Sequence, residues 1–171
     1  MKKILALMIV LAISLSLTAC GGEEVTLQSQ TVNNLTLDVP SDIGEFTDVS
    51  DNVKMAYNDD STAGITISGR VDAQGITADM WDEETYTTTV LSEFGDLQVL
   101  EFSTSETVAG SSAVYAHYTG KNSGDVEIDC YNYMLFFDDG TFQSVAFNFT
   151  KDADSYLKKN LSQVIESMRV Q

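Results

Sequence analysis

The sequence predicts an α+β protein, a mostly antiparallel sheet of about six to seven strands with two helices packed on it. Three observations carry that expectation. Beyond residue 31 most apolar residues alternate with polar ones, which is the period of a half-buried strand. Two stretches, 76–94 and 152–169, instead repeat their apolar residues every three to four positions, as amphipathic helices do. Short connections rich in Asn, Asp, Gly and Ser separate the later alternating segments, and connections that short join antiparallel neighbours.

The chain opens with Met1-Lys2-Lys3, an apolar run from Ile4 to Leu17, and then Leu17-Thr18-Ala19-Cys20. A basic head, a short apolar core and small residues before a cysteine make a secretory signal peptide. The run is about fourteen residues long, short of the roughly 20 that span a bilayer. Leu-Thr-Ala-Cys resembles the lipobox of bacterial lipoproteins. That resemblance implies cleavage before Cys20, acylation of its thiol with palmitate-class chains, and anchoring at the extracytoplasmic face of the cell membrane. A single acyl chain holds a membrane only weakly, so stable attachment calls for diacylation of Cys20. Residues 1–19 are thus the expected leader and 20–30 a lipidated N-terminus and flexible tether. A single domain over 31–171 follows.

Charge narrows the partners. Nine Lys and Arg stand against 26 Asp and Glu, for a formal charge of −17, and Lys2 and Lys3 leave with the leader. Nucleic acid, which is gripped by clustered Lys and Arg, is excluded as a partner. Close apposition to anionic headgroups is disfavoured as well. Cys130 is the one cysteine besides Cys20, so the mature chain has no internal disulfide, and an unpaired exported thiol belongs in the core.

The elements follow in order. Leu35, Leu37 and Val39 alternate in a first strand that Pro40 ends, because proline cannot donate to a ladder. Residues 41–52 form a loop pinned by Ile43 and Phe46. Residues 53–57 and 64–69 are strands around the turn Asn58-Asp59-Asp60-Ser61. The helix over 76–94 takes Thr77 as its N-cap, acidic residues Asp79 to Glu84 at its positive end, and Ile76 with Trp81 as a hydrophobic staple. Tyr86, Val90 and Phe94 step along its buried face, and Gly95 stops it. Strands at 97–102, 112–118, 126–137 and 142–149 come next, joined partly by hairpins at 120–125 and 138–140. In the longest, Val126, Ile128, Cys130, Met134 and Phe136 share one parity, and Glu127, Asp129, Tyr131 and Tyr133 the other. Leu135 and Phe137 mark where both faces become covered. Leu157, Leu161, Val164, Ile165 and Met168 make the stripe of the closing helix, 152–169.

This order, with Leu37-Asp38-Val39-Pro40-Ser41 at its entry and a hydrophobic strand feeding the last helix, resembles the PsbP/Mog-like domains over roughly residues 31–170. That group includes extrinsic photosystem proteins and small DcrB-type bacterial lipoproteins. The resemblance implies a sandwich fold and a role in binding or assembly, and no functional motif carries over residue by residue.

Candidate chemistry is sparse. His117, the single histidine, sits in the alternating strand Ala113–Tyr118 and reads as a structural residue. Ser111 and Ser112 follow Gly110 without a Gly-x-Ser-x-Gly elbow. Cys130 and His117 would form a nucleophile–base pair if their strands are adjacent, which spacing alone does not support. Zinc lacks ligands. Asp59-Asp60, Asp79 with Asp82-Glu83-Glu84, and Asp138-Asp139 offer oxygen donors without the spaced pattern of a calcium loop, and each has a turn or helix-start explanation. No catalytic residue, cofactor or metal is therefore assigned. Tyr131 and Tyr133 beside Glu127 and Asp129 make a candidate binding face, since aromatics next to carboxylates recognise cationic, sugar or peptide ligands. The expected function is a membrane-anchored, non-catalytic binding or assembly module for an envelope protein or small ligand. An extracytoplasmic enzyme or a calcium-binding surface protein are the alternatives. Replacing Cys20 by Ala is expected to move the protein from the membrane fraction to the medium or soluble periplasm. Undiminished membrane retention of that variant on a fractionation blot would overturn the lipid anchor.

Overall fold

Alternating apolar residues fold into more strands than the six to seven expected. The computed structural model describes residues 25–171 and contains eleven strands among them, with a 3₁₀ turn and three short helices. The expected leader and Cys20 lie outside the described residues. In chain order the elements are β1 (Leu27–Val32), β2 (Leu35–Pro40), β3 (Thr47–Ser50), β4 (Val53–Tyr57), β5 (Ala63–Ser68) and β6 (Val71–Asp72). The 3₁₀ turn (Ala78–Met80) and α1 (Glu83–Val90) follow, then β7 (Gly95–Val108), β8 (Ser111–Lys121), β9 (Glu127–Phe136) and β10 (Thr141–Thr150). The chain closes with α2 (Tyr156–Lys159), α3 (Leu161–Glu166) and β11 (Arg169–Val170).

Two antiparallel sheets result. The larger runs β3-β4-β5-β10-β9-β8-β7, with β6 also paired to β10, and the smaller runs β1-β2-β11. β7 to β10 form a meander of long hairpins. The β7–β8 hairpin turns through Ala109 and Gly110, both at positive φ (52° and 78°), the geometry that matches strand twist in two-residue hairpins. Asn33 and Asn34, at φ 50° and 66°, do the same between β1 and β2.

Four expectations are corrected. The domain expected to start at 31 begins earlier, because Leu27–Gln30 already pair with β2; a largely exposed outer strand carries too few apolar residues to announce itself. The loop at 41–52 contains β3, all four residues of which are exposed, so no alternation marks it. The helix over 76–94 shrinks to a 3₁₀ turn and α1. The backbone is extended at Thr77 (φ −123°, ψ 165°) and again at Asp82 (φ −129°, ψ 167°), and Asp82 rather than Thr77 caps α1 by accepting from the Thr85 N–H at 2.7 Å. A carboxylate five residues inside the expected helix offers the backbone an alternative to continuing it. α1 then ends at Leu91, and Gly95 opens β7 instead of stopping a helix. The closing helix breaks likewise at Asn160 (φ −110°, ψ 14°), whose side-chain amide donates to the Tyr156 carbonyl at 2.8 Å, and it ends at Glu166, with Arg169 already in β11.

The large sheet is buried on both faces. Against one face lie the small sheet, α2 and α3, enclosing Leu35, Leu37, Ile65, Leu135, Phe147 and Leu157. The 3₁₀ turn and α1 cover part of the other, over Tyr86, Leu91, Val114, Tyr118, Cys130 and Met134. Gln143, fully buried on the first face, donates to the Asn33 carbonyl at 2.9 Å and the Ser68 carbonyl at 2.7 Å, so its amide ties the β1–β2 turn to the large sheet. Phe147 stands in the middle of this core, edge-on to Tyr133 at 6.5 Å. Phe147→Ala is expected to cost about 3–5 kcal/mol in chemical denaturation, through lost burial plus the cavity left behind. A loss below about 1 kcal/mol would contradict close packing between the layers.

Candidate functional site

Strand register assembles the site. Tyr115, His117, Thr119 and Lys121 of β8 lie opposite Tyr133, Tyr131, Asp129 and Glu127 of β9, all eight on one sheet face. All four residues of the candidate binding face are therefore brought together. Tyr115 stacks on Tyr133 with ring centroids 4.9 Å apart, and His117 stacks on Tyr131 at 4.0 Å and 13° between planes. Phe149 meets the Tyr131 ring edge-on at 6.1 Å from the β10 side.

The charged end of this face is tightly paired. His117 Nε2 lies 2.7 Å from Asp129 Oδ1, while Lys158 of α2 reaches the other carboxylate oxygen at 2.9 Å. Asp129 is only 15 % exposed, so it serves two cationic or donor groups away from bulk water. Lys151 pairs with Glu127 at 2.6 Å, and Lys121 with Asp96 at 2.9 Å and Asp125 at 3.4 Å. The Tyr115 hydroxyl donates to Glu101 at 2.9 Å, and burial together with that bond raises its pKa.

The aromatic half of the face is partly covered, with Tyr115 and Tyr131 half-buried against the core. Tyr133 is 9 % exposed and belongs to the core, and burial pushes its hydroxyl up to about 12. The sequence shows the parity of Tyr131 and Tyr133, whereas the return of α2 and the small sheet over that face is a long-range event. What stays open is a groove of about 390 Å³ at the other end, lined by Leu100, His117, Thr119, Glu127, Asp129 and Lys151 among others. Sequence reasoning missed Leu100, Lys121 and Lys151. Lys121 shares the parity of His117 and was legible in principle; Lys151 and Lys158 enter only through the tertiary fold.

The other candidates are separated from this groove. Cys130 is fully buried on the opposite sheet face, beside Tyr118, with Sγ 3.2 Å from Asn148 Oδ1 as donor. Neighbouring strands thus carry Cys130 and His117, but alternation points them to opposite sides, and no nucleophile–base pair exists. Ser111 and Ser112 lie at the far end of β8, around a hollow shared with Arg70 and Asp139. The acidic clusters have local work. Asp60 accepts from the Thr62 N–H and hydroxyl, Asp139 from Thr141 in the same way and from Arg70, and both carboxyls are held below the usual range chiefly by those threonine bonds. Among the described residues no three His, Cys, Asp or Glu side chains gather as a metal site, and no helix is long and apolar enough to cross a membrane.

No family model matches the chain, and no curated protein does. Solved structures do match. The Ran-binding protein Mog1p of Saccharomyces cerevisiae superposes with a TM-score of 0.57 at 11% identity, covering 85% of this chain and 96% of Mog1p. Cyanobacterial PsbP (CyanoP) of Synechocystis sp. PCC 6803 gives a TM-score of 0.60 at 14% identity, covering 91% and 99%. The fold is PsbP/Mog-like. At such identities the likeness is one of backbone, and the groove is described by this chain's own residues.

On this PsbP/Mog-like sheet Cys130 makes a pH-dependent contribution with a definite sign. Burial pushes its thiol from 9.0 up to about 12, against a hydrogen bond with Tyr118 that lowers it, while the Asp129 charge adds to the rise. The unfolded chain therefore releases this proton first, so the stability carried by the neutral thiol is complete below pH 9.0 and is lost as pH climbs toward about 12. Buried Tyr86 and Tyr118, raised mainly by desolvation, act in the same direction. Tm is expected to fall above pH 9, and to fall less steeply in Cys130→Ala; parallel curves for the two proteins would refute the contribution of the thiol.

Proposed function

We propose that this protein is an extracytoplasmic lipoprotein, anchored through Cys20, whose PsbP/Mog-like domain binds an envelope protein through the groove beside His117. The anchoring half rests on the basic head, apolar run and Leu-Thr-Ala-Cys sequence. The binding half is supported by the fold, which serves a Ran-binding protein in yeast, and is carried by one local observation. Leu100, 45 % exposed, lies in a groove bordered by charges of both signs, Lys121 with Asp96 and Lys151 with Glu127. An apolar centre within a polar, solvated rim is the anatomy of a protein interface. His117 fits a positioning role there, since its ring is stacked on Tyr131 and bonded to Asp129.

A photo-crosslinking residue at position 100, activated in intact cells and read by mass spectrometry, tests the reading. One discrete protein adduct is expected, and Lys121→Glu with Lys151→Glu should reduce it about tenfold. Val49, 53 % exposed on the opposite edge strand, is the control position. Adducts at position 100 no richer than at position 49 would overturn the groove as the binding face.

A further inference from the structure

The sheet face opposite the groove carries a second hollow with a different chemistry. It measures about 270 Å³ and is walled by Ala73, Ile76, Trp81, Val90, Met134 and Phe142, with Phe136 stacked on Phe142 at 5.8 Å in its floor. Its lining is almost wholly apolar. The Trp81 indole N–H is buried without an acceptor among the described residues, an unusual state for a donor that normally finds a partner. Ile76 in its wall is 45 % exposed, Met80 next to Trp81 in the chain is 65 % exposed, and Val71 pairs with the lining residue Phe142. Exposed apolar side chains gathered about an apolar hollow mark a contact surface.

Size and charge say what fits. About 270 Å³ is just below the roughly 300 Å³ at which sites for whole small molecules begin, which suits one or two apolar side chains. The segment 71–94 that walls the hollow carries Asp72, Asp79, Asp82, Glu83, Glu84 and Glu93, all exposed. No Lys or Arg occurs between Arg70 and Lys121. None of these six carboxylates forms an ion pair among the described residues, in contrast to Glu127 and Asp129 at the groove. Six carboxylates without an ion pair, on the segment that walls an apolar hollow, complement a cation-rich chain bearing an apolar anchor.

We infer that this hollow is a docking site for a basic protein segment that inserts one large apolar side chain beside Trp81. It lies on the other sheet face from the groove and depends neither on the groove's partner nor on the lipid. The steering comes from the exposed acids of residues 71–94 and the specificity from the anchor, whose backbone or side-chain acceptor would meet the Trp81 N–H.

Trp81 is the single tryptophan of the chain, so its emission reports on the hollow directly. The full chain in phosphatidylcholine vesicles is titrated with a tryptophan-free lysine-rich peptide carrying one central Phe. A saturable change in Trp81 emission is expected, weakened about tenfold when Ala replaces the Phe and weakened again at high salt. Glu83→Lys with Glu84→Lys alters only exposed side chains of α1 and is expected to weaken binding about tenfold. Filling the hollow by Val90→Phe should abolish the response, with circular dichroism confirming the fold. No saturable change, equal binding of the Phe and Ala peptides, or an equal response to a glutamate-rich peptide would each overturn the inference. Loss of crosslinking at position 100 leaves this titration unchanged, so the two sites fail separately.

Discussion

The burial of one sheet on both faces governs this protein. β8, β9 and β10 lie in the middle of the large sheet, and every second residue along them faces a different layer. On one side Leu135, Val145 and Phe147 meet the small sheet and the C-terminal helices. On the other, Val114, Cys130 and Met134 meet the segment around α1. A shift of one residue in β9 would exchange the two sets and place Asp129 in the apolar layer with Cys130 outside it, which fixes the register. Gln143 adds a polar constraint, because moving its amide would orphan two interior carbonyl bonds at once.

That alternation was the most legible feature of the sequence. The parity of β9 separated Cys130 and Met134 from Tyr131 and Tyr133, and Leu135 with Phe137 marked where the second face closes. The hairpins at 58–61, 120–125 and 138–140 were legible from Asn, Asp, Gly and Ser. Helix ends were not. Asp82 and Asn160 are ordinary polar residues within an apolar period, and only the folded backbone shows that each redirects the chain. Exposed strands such as β1 and β3 lacked alternation because one or both of their faces meet water. At the site, register could be read and cover could not. Tyr133 is buried by elements that arrive from both ends of the described chain, while the lysines that neutralise Glu127 and Asp129 come from outside the strands that carry them.

The two faces of the large sheet also differ in how their charges are settled. At the groove each strand carboxylate has a cation, and Asp129 is divided between His117 and Lys158. Such pairs add little net stability where water reaches them, but they hold side chains in fixed positions. Across the sheet the acids of residues 71–94 are spent locally or left to solvent. Asp82 caps α1, Asp79 accepts from Thr77, and Asp72 accepts from the Gln74 N–H. One face is a balanced mosaic, whereas residues 71–94 over the other carry acids and no Lys or Arg.

The small sheet joins distant parts of the chain. β2 is flanked by β1, its neighbour in sequence, and by β11, and Arg169 bonds Ser29 across 140 residues. The meander β7–β10, by contrast, closes through turns of a few residues each. Loop-closure entropy rises with the length of chain enclosed, so the cost of bringing remote segments together falls on β11 and its partners rather than on the meander. The layer that shelters Phe147 and Leu135 is completed by the strand pairing most distant in sequence, Arg169 and Val170 with Thr36 and Leu35.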